Sequence, residues 1–63
     1  MFVRLKELRE THKYSQKYVS SLLNCSLRAY CNYEAGLREM PVSLLIKLAD
    51  IYDETIDYIV GRD

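Results

Sequence analysis

The chain is 63 residues long, with nine Lys and Arg balanced by nine Asp and Glu, and 49% of its residues are apolar. A domain of this size buries only about 60% of the surface that its unfolded chain exposes, so its apolar residues must be used economically. That composition excludes a disordered tail, and no run approaches the roughly 18 apolar residues of a membrane span. The N-terminus is charged by its fourth residue, Arg4, unlike a secretory signal. A cytoplasmic location is therefore expected, with Cys25 and Cys31 as reduced thiols. Two cysteines make a poor disulfide framework, and a metal site built from His12, Cys25 and Cys31 would lack a fourth ligand. No metal and no cofactor are expected.

The neutral total hides an uneven distribution. Residues 1–47 carry eight Lys and Arg against Glu7, Glu10, Glu34 and Glu39. Residues 48–63 carry Arg62 against Asp50, Asp53, Glu54, Asp57 and Asp63. A polyanion could be met by the first part while the acidic end faces away or holds a partner.

In chain order, Met1, Leu5 and Leu8 recur at helical spacing, flanked by Phe2 and Val3, and predict a first helix from about Phe2 to His12. Lys13 follows, where Gly or Asn would make a better stop. His12 lies in the last turn and reads as a structural residue that favours the helix dipole. Ser15 is an N-cap for a second helix, with Tyr14 and Val19 placed as a hydrophobic staple. Ser26 repeats the arrangement for a third helix, with Cys25 and Tyr30 in the staple positions. Between them Asn24 suits a left-handed turn. Val19, Leu22 and Leu23 should point inward or nearly so. Gln16 and Lys17 occupy a first turn whose backbone N–H groups lack helical partners, which suits either a phosphate or solvent.

The third helix, Leu27 to Ala35, places Tyr30 and Tyr33 on one side and Leu27, Arg28, Cys31, Asn32 and Ala35 around the other. An Arg fork and an Asn amide match guanine and adenine edges in a major groove, although any exposed helix can carry such a pair. Gly36 should end this helix. Pro41 fits the first turn of a fourth helix running to about Asp53, so broadly apolar that cover on more than one side is expected. Thr55 caps a last helix, Ile56 to Val60, closed by Gly61.

RLKELRE, the Ser15–Gln16 pair, Ser26, NYEAGLREMP, LIKLADIY and IDYIVGRD, in that order, resemble the lambda-repressor-like (Xre/Cro-type) helix-turn-helix family across essentially the whole chain. The resemblance implies an all-α fold: a compact five-helix DNA-binding domain over residues 1–63, with the helix-turn-helix at helices 2 and 3. It implies that Leu27, Arg28, Ala29 and Asn32 face bases, that Gln16, Lys17, Ser26 and Arg38 lie against phosphates, and that Arg9 and Glu34 form an inward ion pair. The chain departs from the family in Asn24 for a turn Gly, Ser20 for a small Ala and Lys13 for a Gly or Asn. It departs again in Leu27, where the family often carries a polar or basic residue.

Two functions follow as expectations. One is sequence-specific binding of double-stranded DNA as a small transcriptional regulator, a repressor, acting as a homodimer on an inverted-repeat operator with no membrane or small-molecule partner. The other is a protein-interaction module, such as an antitoxin-like or adaptor subunit, using Leu22, Leu27, Leu37, Leu44 and Val60. Catalysis is the poorest fit, since there is one His, no nucleophile and base at a recognisable spacing, and too little bulk for a substrate pocket.

Overall fold

A computed structural model describes residues 4–61. Five helices account for its regular structure: α1 (Leu5–Thr11), α2 (Gln16–Leu22), α3 (Leu27–Ala35), α4 (Val42–Tyr52) and α5 (Ile56–Val60). Among the described residues there is no strand. The start expected at Phe2, with Met1 and Val3 beside it, lies outside the described residues. α1 begins at Leu5, after Arg4.

Three of the helix starts and all five stops have local reasons. Ser15, Ser26 and Thr55 stand in extended conformation before α2, α3 and α5, and each accepts a hydrogen bond at 3.0 Å from the backbone N–H three residues on. The stops are left-handed residues at Lys13, Asn24, Gly36, Asp53 and Gly61. After the first four, the next N–H reaches back five residues into the helix: Tyr14 to the Arg9 carbonyl, Cys25 to Ser20, Leu37 to Asn32 and Glu54 to Ala49. Those bonds satisfy carbonyls that the helix end would otherwise strand.

Two boundaries differ from expectation. Pro41 precedes α4 as an extended cap, with φ −59° and ψ 147°. Its carbonyl already accepts from the Leu44 and Leu45 N–H groups, so the helix opens at Val42. Asp53 lies beyond the other end because its φ of 53° breaks the helix.

Every helix sends one side chain with no exposed surface to a common centre: Leu5, Val19, Tyr30, Leu48 and Ile59. Leu8, Leu23, Tyr33, Met40, Leu45 and Tyr52 complete the core. α2 packs against α3 and α4 against α5. The radius of gyration, 10.3 Å, is close to the ~10.6 Å that size scaling gives for a compact chain of this length.

Leu22 does not join the core. Val19 and Leu23, four residues apart, take the buried side of α2 and leave Leu22 39% exposed. Ser20, at the family's small-residue position, is buried with its hydroxyl donating to the Lys17 carbonyl at 2.8 Å, so a polar side chain fits without an orphaned group.

Lys13 holds a conformation that a side chain with Cβ resists. Its replacement by Gly is expected to stabilise the protein by about 0.5–1 kcal/mol in urea unfolding, the relief of left-handed strain exceeding the extra entropy of the unfolded chain. A loss of stability would show that Lys13 contributes contacts that outweigh its backbone strain.

Candidate nucleic-acid interface

Three helices meet at the Glu34 carboxylate. Arg9 on α1 grips it with two parallel bonds, Nε to Oε2 at 2.9 Å and an Nη2 bond to Oε1 at 3.0 Å, the bidentate geometry that makes such pairs strong. The remaining guanidinium nitrogen, Nη1, donates to the Tyr14 carbonyl at 2.9 Å in the turn between α1 and α2. From the first position of α2, Gln16 Nε2 donates to Glu34 Oε1 at 3.2 Å, and the Cys31 thiol donates to Gln16 Oε1 at 3.4 Å.

The Arg9 and Glu34 side chains are only 12% and 6% exposed. Burial by itself would raise the Glu34 carboxyl, but the hydrogen bonds and the charge of Arg9 outweigh it, with a smaller contribution from Gln16, and hold the group below its ordinary value of 4.5. The same carboxylate raises the Arg9 guanidinium further. Burial drives the Tyr30 hydroxyl far up and pushes Tyr52 up to about 12, so both stay neutral beside the pair.

This hub fixes the attitude of α3. With Tyr30 and Tyr33 in the core, the helix turns Leu27, Arg28 and Ala35 to solvent, while Ala29, Cys31 and Asn32 are half-buried along its flanks. Leu27 is 45% exposed. Lys17 and Arg38 are exposed as well, and the Arg38 guanidinium lies 5.9 Å from the centre of the Tyr33 ring, near enough for a cation–π attraction that limits its freedom.

Not every residue singled out from the sequence faces the same way. The Gln16 side chain is half-buried, and both ends of its amide are engaged inside the domain. Ser26 spends one lone pair of its hydroxyl on the Ala29 N–H. The inward use of Gln16 was hidden in the sequence because it depends on where α3 brings Glu34 and Cys31.

The chain matches the Helix-turn-helix family over residues 5–59, which takes in all of α1 to α4 and most of α5. It belongs to the lambda-repressor-like helix-turn-helix family. Among curated relatives, it is 38% identical over 60 residues to the HTH-type transcriptional regulator AnsR of Bacillus subtilis, covering 95% of this chain and 52% of the relative. The HTH-type transcriptional regulator ImmR of the same organism is 37% identical, with 95% and 47% covered. A putative HTH-type transcriptional regulatory protein of Thermococcus gammatolerans is 35% identical, with 82% and 16% covered. The chain thus spans about half the length of the Bacillus relatives that it matches. No solved structure gives a significant match.

The helix-turn-helix family is one of DNA-binding regulator domains and not of enzymes. No helix among the described residues is long and apolar enough to cross a membrane. The helix-turn-helix unit here is α2, the Leu23–Ser26 turn and α3. Asn24 serves in place of the family's turn Gly with a φ of 57°. Aromatic contacts link the corner before α2 to α4 and to α2: the His12 ring lies 4.9 Å from Tyr52, and Tyr14 lies 4.9 Å from Tyr18. His12 also joins its own helix through Nδ1, 2.9 Å from the Leu8 carbonyl.

Breaking the pair should be severe. Arg9→Ala strands a buried carboxylate and is expected to cost about 3–5 kcal/mol, against a total of roughly 3–9 kcal/mol for a domain of this length. Because the folded state lowers the Glu34 pKa, its stabilisation is full above the ordinary carboxylate value and disappears as pH falls through the lowered one. Chemical unfolding across the acid range should show that loss in the wild type and a flatter profile in Glu34→Gln. An Arg9→Ala protein as stable as the wild type would remove the pair from its structural role.

Proposed function

We propose that residues 1–63 form one helix-turn-helix domain that binds double-stranded DNA sequence-specifically as a transcriptional regulator, a repressor, with α3 in the major groove. The observation that carries this reading is the fixed attitude of α3: its tyrosines are locked into the core while Leu27 and Arg28 are exposed to solvent. In this docking Arg28 reads a guanine through its fork, and Asn32 turns its amide to an adenine. Leu27 and Ala29 supply apolar contact suited to a thymine methyl. Lys17 and Arg38 neutralise phosphates, while Gln16 and Ser26 lie against the backbone and contribute mainly by holding the starts of α2 and α3.

The regulator acts as a homodimer on an inverted repeat, with half-sites roughly 34 Å apart on one face of the duplex. It works in the cytoplasm, without enzymatic activity, cofactor or small-molecule substrate. The names of the relatives support transcriptional regulation, and membership of the family supports DNA as the partner.

Exposed Leu22 and Leu27 favour a second reading, a protein-interaction subunit. Salt separates the two. Two phosphate-neutralising cations on each of two copies give log K against log salt a slope of about −3.6 for DNA. A protein partner, with no DNA affinity even at low salt, would establish the second reading instead.

Selection of binding sites from random duplex DNA tests the first reading directly, and a palindromic consensus is the expected result. On that consensus, Arg28→Ala should cost roughly 1–3 kcal/mol and relax preference at one base position. An equal loss on every sequence would make Arg28 a phosphate contact.

A further inference from the structure

Uncovered apolar side chains stand in several places, and charge distinguishes them. Val42 and Ile46, one turn apart on α4, are exposed in a run from Met40 to Ile46 that holds no charged residue, so nothing there selects a partner. Leu37 is exposed by itself, between Gly36 and Arg38. The α2 side is different. There the chain writes Lys-Tyr twice, four residues apart, and then Ser-Leu four further on: Lys13-Tyr14, Lys17-Tyr18 and Ser21-Leu22.

In the structure this spacing becomes two rows. Tyr18 and Leu22, 48% and 39% exposed, lie one turn apart on α2, and the half-buried Tyr14 extends their row, with its ring 4.9 Å from that of Tyr18. Tyr14 in turn stacks on the buried Tyr52 at 6.2 Å, so the row is anchored to the core. Lys17 and Ser21 form the second row, with Lys13 in the corner before it, and all three are exposed. Among the described residues neither lysine pairs with a carboxylate.

We propose that this α2 face is a docking surface for an acidic amphipathic helix of another protein, whose apolar row seats on Tyr14, Tyr18 and Leu22 while its carboxylates meet Lys13 and Lys17. Charge picks the occupant. A second copy related by a two-fold axis would set the lysines against themselves. A nucleic-acid strand would be drawn to the lysines but would leave the apolar row unused, because Tyr14 is already stacked on Tyr52 and Leu22 offers neither a stacking plane nor a hydrogen bond. An acidic amphipathic helix engages both rows, since its own apolar and charged side chains repeat at the same one-turn interval.

The surface is small. Three apolar side chains, one of them half-buried, cover much less than the roughly 800 Å² per partner of a standard interface, so the association is transient and salt-sensitive. The lysines then govern encounter and partner choice more than strength. Lys17 is the one residue shared with the DNA contact proposed above, and the inference stands whatever α3 binds.

The test is run without duplex DNA, using two N-acetylated, C-amidated helical peptides that share a row of leucines and carry glutamates beside it in one and lysines in the other. NMR amide shifts report where each binds. The glutamate peptide should bind roughly tenfold more tightly than the lysine peptide at low salt and move the amides from Tyr14 to Leu22. Lys13→Asp/Lys17→Glu should invert that preference. Aspartate suits the left-handed position, as Asp53 does, and glutamate suits a first helical turn, so this variant should keep its helical circular dichroism. Tyr18→Ser/Leu22→Ser should weaken both peptides alike. No binding of the glutamate peptide, equal binding of the two peptides, or shifts centred on α3 or α4 overturns the proposal. So does self-association in sedimentation that the charge reversal abolishes, which would give the face to the acidic end of a second copy. Tighter binding of a single-stranded oligonucleotide at the same amides would give it to nucleic acid and overturn the proposal as well. Since no duplex is present, each of these outcomes leaves the DNA reading where it stood.

Discussion

The Arg9–Glu34 pair is the interaction on which the arrangement of the first three helices depends. Arg9 comes from α1 and Glu34 from the last turn of α3, and the arginine also holds the carbonyl of Tyr14 where the chain turns into α2. Gln16 then ties the beginning of α2 to the same carboxylate. A buried charge left alone costs more than the pair gains, so any movement of one helix away from the others meets a steep penalty. That makes the pair a device for orientation more than for net stability. Apolar packing between the same helices would tolerate sliding, whereas a bidentate fork fixes both distance and angle.

A second regularity organises the connections. Three times the chain writes a left-handed residue, one intervening residue and a capping hydroxyl: Lys13-Tyr14-Ser15, Asn24-Cys25-Ser26 and Asp53-Glu54-Thr55. The first residue stops one helix and the third starts the next, so each corner needs only three or four residues. In the first two corners the middle residue, Tyr14 or Cys25, also packs on the core. Short corners matter in a domain this small, since every loop residue must be ordered without burying much surface to compensate. They also explain how the chain manages with two glycines, because Lys, Asn and Asp take left-handed positions that glycine fills elsewhere. The position of the third corner is legible in the sequence, from a fourth helix expected to run to about Asp53 and from the cap at Thr55, but the left-handed φ of Asp53 is not, because nothing in the residue type alone sets the sign of φ.

These two features together explain how the candidate interface is made. The α2–α3 corner sets the angle between two helices through local bonds, and the ion pair sets both against α1 through a long-range one. α3 is then rigid enough to leave part of its surface free of structural duties, where Leu27 and Arg28 stand. Leu27 has no role in the core, and contact with a base methyl gives its exposure a use within the proposed reading. Cys31 and Gln16, by contrast, belong to the supporting side, although a helical projection puts Cys31 with the outward group. What takes Cys31 out of that group is its thiol, which donates to Gln16 Oε1 inside the domain.

The sequence by itself determined the five helices, the capping hydroxyls at Ser15, Ser26 and Thr55, the left-handed turn at Asn24 and the inward tyrosines of α3. All of these are set by residues within about four positions of one another, where helical periodicity and capping chemistry act. The pairing of Arg9 with Glu34 entered through family resemblance, since no local rule joins residues 25 apart. Only the tertiary structure decided that Gln16 turns inward, that Leu22 misses the core and that Val42 and Ile46 remain uncovered. Each of those outcomes depends on which neighbouring helix occupies the adjacent space, and that is fixed by packing among all five helices at once.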